Sequence, residues 1–129
     1  MSKDIEDRLD DLQARQQGRA GEAGGETMRV PVNVYEAEEA LVVVAPLPGV
    51  MPADVTVAIE GQELQIAAAM RSPAAKDYLV HEWHYGPFER IVELPEGFGG
   101  GGTATLGNGQ LAVRITRGTG GGPVPVKHA

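Results

Sequence analysis

The chain has 129 residues, room for one domain, and its 18 glycines and 9 prolines cluster near the termini and in one internal run, leaving an ordered core of about 90 residues. A net charge of −7 with no block of lysine or arginine argues against phosphate-backbone binding as a main activity, and the lack of cysteine excludes disulfides and thiolate chemistry. The start, MSKDIEDRLDD, has no secretory apolar core, and no apolar run approaches the roughly 20 residues that span a bilayer, so the cytosol is the expected compartment.

Residues 3–17, KDIEDRLDDLQARQQ, predict a short helix. Asp4 can cap it, Glu6 and Asp7 place negative charge in its first turn, and Ile5, Leu9 and Leu12 fall on one side. So narrow a stripe orders only against something else, such as a second copy of itself; the alternative is a frayed, solvated arm. Residues 18–28, GRAGEAGGETM, read as a flexible linker.

From Val30 the pattern changes to strands. VPVNVYE and ALVVVAP are rich in β-branched residues and are separated by an acidic turn, Ala37 to Glu39. PLPGVMPAD, with three prolines and a glycine, can continue neither helix nor strand. VTVAIE alternates, with Val55, Val57 and Ile59 on one face, and ELQIAAAM alternates again through Leu64, Ile66 and Ala68, which predicts a hairpin. YLVHEWH and FERIVELP follow, and TATL and QLAVRIT are joined by Gly107-Asn108-Gly109, an Asn-Gly hairpin signal. Seven or eight short strands predict an all-β fold, an antiparallel immunoglobulin-like β-sandwich.

Residues able to do chemistry are few. His81 and His84 stand three apart, so in a strand they point to opposite faces and are poorly placed to share one metal. The run Gly99 to Gly102 reads as a loose connection rather than a phosphate cradle. No catalytic, cofactor-binding or metal-ligating residues are expected, and the chain does not read as an enzyme. Arg90 stands out because it shares the phase of Phe88, Val92 and Leu94 on an apolar face. A guanidinium there must find a carboxylate, unless strand twist carries it to the sheet edge and into water.

VPVNVYEAEEALVVVAPLPGV, ADVTVAIEGQELQI, YGPFERIVELPEG and ATLGNGQL, in that order, resemble the α-crystallin domain of the small heat-shock proteins over about Val30 to Thr116. The most specific pieces are Leu47-Pro48-Gly49, Phe88-Glu89-Arg90 to Leu94-Pro95, and Ala104 to Leu111. The resemblance implies a domain at residues 29–117, between an arm at 1–28 and a flexible tail at 118–129. It implies an ATP-independent holdase without cofactors, whose partners are partly unfolded clients and further copies of itself, as dimers and larger oligomers, with no nucleic acid or membrane. It also implies that the segment from Tyr78 to Trp83 is exchanged between partners, so that Tyr78, Val80, Glu82 and Arg90 mark the dimer contact.

The family's short tail carries two β-branched residues one apart, matched here by Val124 and Val126 around Pro125. These would dock on a neighbouring subunit in a groove lined by Val55, Val57, Ile59, Ala104 and Leu106. Proline suits the middle place, because it presets an extended backbone. The chain departs from the family in having His81 where an arginine is usual, Gly102 where an isoleucine would floor the groove, and an arm without phenylalanine or tryptophan. The rival reading is an assembly or scaffold protein that uses the same sandwich to bind one dedicated partner.

Overall fold

The computed structural model describes residues 27–129. The expected helix with Ile5, Leu9 and Leu12, and most of the linker after it, lie outside the described residues.

Strand-forming stretches become β1 (Met28–Arg29), β2 (Asn33–Ala37), β3 (Ala40–Pro46), β4 (Val55–Glu60), β5 (Glu63–Ala68), β6 (Phe88–Glu93), β7 (Phe98–Gly107), β8 (Gln110–Arg117), β9 (Gly122–Val124) and β10 (Val126–His128). They form two five-stranded sheets, in the orders β1-β6-β5-β4-β9 and β10-β7-β8-β3-β2. All pairs are antiparallel except β1 with β6 and β10 with β7, both short and both at a sheet edge. The expected sandwich is therefore present, with parallel additions at its margins.

Side-chain alternation accounts for the core. Val55, Val57 and Ile59 of β4, Leu64, Ile66 and Ala68 of β5, Leu41, Val43 and Ala45 of β3, and Leu111, Val113 and Ile115 of β8 all join one buried cluster. Each fully buried aliphatic side chain of this kind contributes about 1.5 to 3 kcal/mol. Registers are complementary across the sheets, with Val57 opposite Ile66 and Val43 opposite Val113. The β7–β8 turn has φ of 51° at Asn108 and 73° at Gly109, two successive left-handed residues as the Asn-Gly pair requires.

Two expectations are corrected. YLVHEWH forms no strand: residues 78–84 are an irregular, mostly exposed stretch, because a strand needs a neighbouring ladder and no other segment among the described residues lies beside it. The run Gly99 to Gly102 is not a loose connection but part of the ten-residue strand β7, with a register shift between Phe98 and Gly102. Glycine is poor in strands, yet here the backbones come too close for a side chain. A Cβ on Gly102 would lie 2.5 Å from the carbonyl oxygen of Arg114.

Candidate protein-interaction site

β4 and β7 are adjacent margins of the two sheets, and the C-terminal segment covers both. β9 runs antiparallel to β4, placing Val124 opposite Val57, Pro123 opposite Ala58 and Gly122 opposite Ile59. β10 runs parallel to β7, placing Val126 opposite Ala104, Lys127 opposite Thr105 and His128 opposite Leu106. The chain therefore crosses from one sheet to the other at Pro125, and each valine serves a different sheet. Val124 is 3% exposed and belongs to the core cluster together with Val55, Val57, Ile59, Ala104 and Leu106; Val126 is half-buried and packs against that cluster. These residues, singled out from the sequence as anchor and groove, come together.

Their arrangement differs from the expected one in a single respect, that the tail lies on its own domain. Left-handed backbone at Gly118 (φ 114°), Gly120 (φ 82°) and Gly122 (φ 70°) turns the chain back at once after β8. The expected flexible tail from residue 118 is, in this structure, two short strands hydrogen-bonded to the sandwich margins. Gly102 is the point where β7 passes against the backbone of β8, so an isoleucine could not stand there without moving Arg114.

Among the described residues, no segment covers the opposite margin of the sandwich. β2 is an edge strand with Val34 and Tyr35 exposed. The excursion 71–84 is closed at its base by the Met70 N–H, which donates to the Tyr85 carbonyl at 2.8 Å, and by an Arg71–Asp54 ion pair at 2.6 Å. Between these ties Leu79 is 101% exposed, Trp83 71% and Val80 69%. The imidazole of His81 stacks on Tyr78 at 4.5 Å and tilts against Tyr85 at 5.9 Å. A side-chain hydrogen bond with Tyr78, then burial and the charge of Tyr78, push the Tyr85 phenol above its ordinary value. Nδ1 of His84 accepts from the Gly86 N–H at 3.1 Å, and no group of three metal-ligating side chains occurs among the described residues.

Of the four expected dimer-contact residues, Tyr78, Val80 and Glu82 are exposed on this excursion. Arg90, the fourth, meets a backbone acceptor within its own chain. Its Nη1 donates to the Val30 carbonyl at 3.0 Å, its Nε is buried without a partner, and none of the ion pairs among the described residues includes it. The physical reason is the β1–β6 pairing, which carries the chain after β1 past the guanidinium and offers a backbone acceptor in place of an acid.

Sequence reasoning missed the glycine packing along β7 because glycines carry no side-chain period. The one available signal was Phe98, whose ring lies under the Arg117 guanidinium at 4.6 Å and ties the start of β7 to the end of β8.

Comparison with known proteins adds three findings. The model of the Hsp20/alpha crystallin family matches residues 33–124. Among solved structures, hspA from Xanthomonas axonopodis is 28% identical with a TM-score of 0.63, covering 71% of this chain and 96% of that one. A small heat-shock protein from Xylella fastidiosa is 27% identical with a TM-score of 0.60, covering 70% and 87%. A mutant of hsp14.1 from Sulfolobus shares the fold at 24% identity, with a TM-score of 0.61 over 85% of this chain and 92% of that one. The search of curated proteins finds no match.

Proposed function

The chain belongs to the Hsp20/alpha crystallin family, whose members are ATP-independent chaperones and not enzymes, and from that premise we propose that it is a holdase that binds partly unfolded proteins and keeps them from aggregating. The observation that carries this reading is the uncovered margin. Leu79, Val80 and Trp83 stand in solvent on the 71–84 excursion, and β2 is an edge strand that pairs only with β3 among the described residues. A free edge with exposed apolar side chains is a pairing site for another extended chain.

Two kinds of chain can use it. A second copy supplies its own 78–84 stretch, which has strand composition but no strand partner among the described residues, to β2 of the first, with Tyr78, Val80, Glu82 and Arg90 at the contact. An unfolding client supplies an apolar extended segment. Larger assemblies form when Val124 and Val126 of one subunit occupy the groove of another, exchanging the contact made within the chain. The cytosol is the proposed compartment, where clients of this kind arise; among the described residues no helix is long and apolar enough to cross a membrane.

The test is to heat a labile enzyme with substoichiometric amounts of this protein and to follow light scattering. Scattering should fall in proportion to the protein added. Unchanged scattering with several unrelated enzymes would favour the rival reading of a scaffold for one dedicated partner, to which the self-covered groove lends some support.

A further inference from the structure

Two glycine-rich segments face each other where the tail leaves the sandwich. β7 begins with Gly99 to Gly102, and the chain leaves β8 through Gly118, Gly120 and Gly121. The Gly118 N–H donates to the Gly97 carbonyl at 2.9 Å, and the Gly121 N–H to the Gly99 carbonyl at 2.9 Å. A Cβ on Gly100 would lie 2.1 Å from the Arg117 carbonyl oxygen. One on Gly121 would lie 2.9 Å from both the Gly99 carbonyl oxygen and Cβ of Ile59. Side chains at these places would hold the two backbones apart.

We infer that this glycine seam latches the Val-Pro-Val tail onto its own subunit, so that the β4–β7 groove is closed in cis at rest and tail-linked larger assemblies form only once the seam opens. The inference rests on the reading that the groove can receive a neighbour's tail. Its first support is that the seam directs the chain before the tail begins. The hydrogen bond at Gly118 comes one residue after β8 ends, and the one at Gly121 one residue before β9 starts. A tail leaving for another subunit gives up the Gly121 bond and the contact with Ile59. Its second support is the length of the connection. Residues 118–121 alone separate β8 from β9. So short a tether gives the tail an effective concentration of about 1 mM or more, against subunits at about 1 µM, a preference of about a thousandfold for its own groove.

The lack of cysteine makes a direct test available. Thr105 and Lys127 are exposed and opposite each other in the β7–β10 register. Adjacent strands lie about 4.8 Å apart, within disulfide range. The Thr105→Cys/Lys127→Cys variant, oxidised at micromolar concentration, should run at the mass of one chain on a non-reducing denaturing gel. An equimolar mixture of the two single variants should cross-link at least tenfold more slowly. Predominant disulfide-linked dimers, or equal rates in the mixture, would overturn cis closure. Adding Gly121→Val to the double variant should move the product from within chains to between chains at least tenfold, with circular dichroism reporting the sandwich. Gly121→Ala tests the same contact if the valine variant does not fold. An unchanged product in a folded Gly121 variant would remove the seam as the latch. The readout is covalent linkage, so it stands whether or not light scattering shows holdase activity, and either result can fail without the other.

Discussion

The tail margin and the β2 margin of the sandwich begin from the same problem and end differently. Along β4 and β7 the chain supplies its own cover, and Val124 is buried as deeply as the sandwich core. Along β2 no segment among the described residues covers the edge, and on the 71–84 excursion Leu79, Val80 and Trp83 stand fully or largely in solvent. An unpaired strand edge invites any extended chain. The comparison teaches how the two margins differ as acceptors, because one is closed by an intramolecular strand pair and the other has no strand paired to it among the described residues. A single segment of alternating β-branched residues around a proline is enough to close a margin. An apolar segment with no edge to reach within its own chain leaves one open.

Removing the cover should give the largest effect. Val124→Gly deletes a fully buried side chain from the core and should cost about 2 to 3 kcal/mol, and Val126→Gly somewhat less because it is only half-buried. The double variant should melt roughly 10 °C or more lower by calorimetry. A melting temperature within a degree of the parent would show that the two margins are in truth equally open.

Arg90 tests the β2 side. With the Val30 carbonyl as its hydrogen-bond partner among the described residues, Arg90→Ala should lower stability by about 1 kcal/mol, the net worth of a hydrogen bond. Denaturant midpoints measured at dimer-dissociating dilution check this. A loss of about 3 to 5 kcal/mol at high concentration only would mean that a carboxylate from another chain completes the pair.

The smallest change in folding free energy should come from Leu79→Ser with Trp83→Ser. Both side chains are exposed, so stability should stay within about 0.5 kcal/mol. Sedimentation should nevertheless show self-association weakened at least tenfold. Association that survives unchanged would place the dimer contact elsewhere.

Much of this architecture is legible in the residue pattern, for a local reason. Period-two alternation in VTVAIE, ELQIAA and QLAVRIT dictates which side chains face inward, whatever the sheets around them, and Asn108-Gly109 dictates its own turn. The spacing of Val124 and Val126 likewise determines that an extended tail presents both to a groove, and those are local facts of backbone and side chain. Other features were decided only when the chain folded, because they depend on what lies opposite. YLVHEWH has a strand's composition, but strand pairing is non-local and no segment among the described residues pairs with it. Arg90 finds its acceptor sixty residues earlier, at a carbonyl, and carbonyls carry no sequence signature. The glycines at 99–102 belong to a strand because β8 and the tail turn press against them, although glycine on its own argues for a loop. The close approach of Gly121 to Ile59 and Gly99, on which the proposed latch rests, exists only in three dimensions.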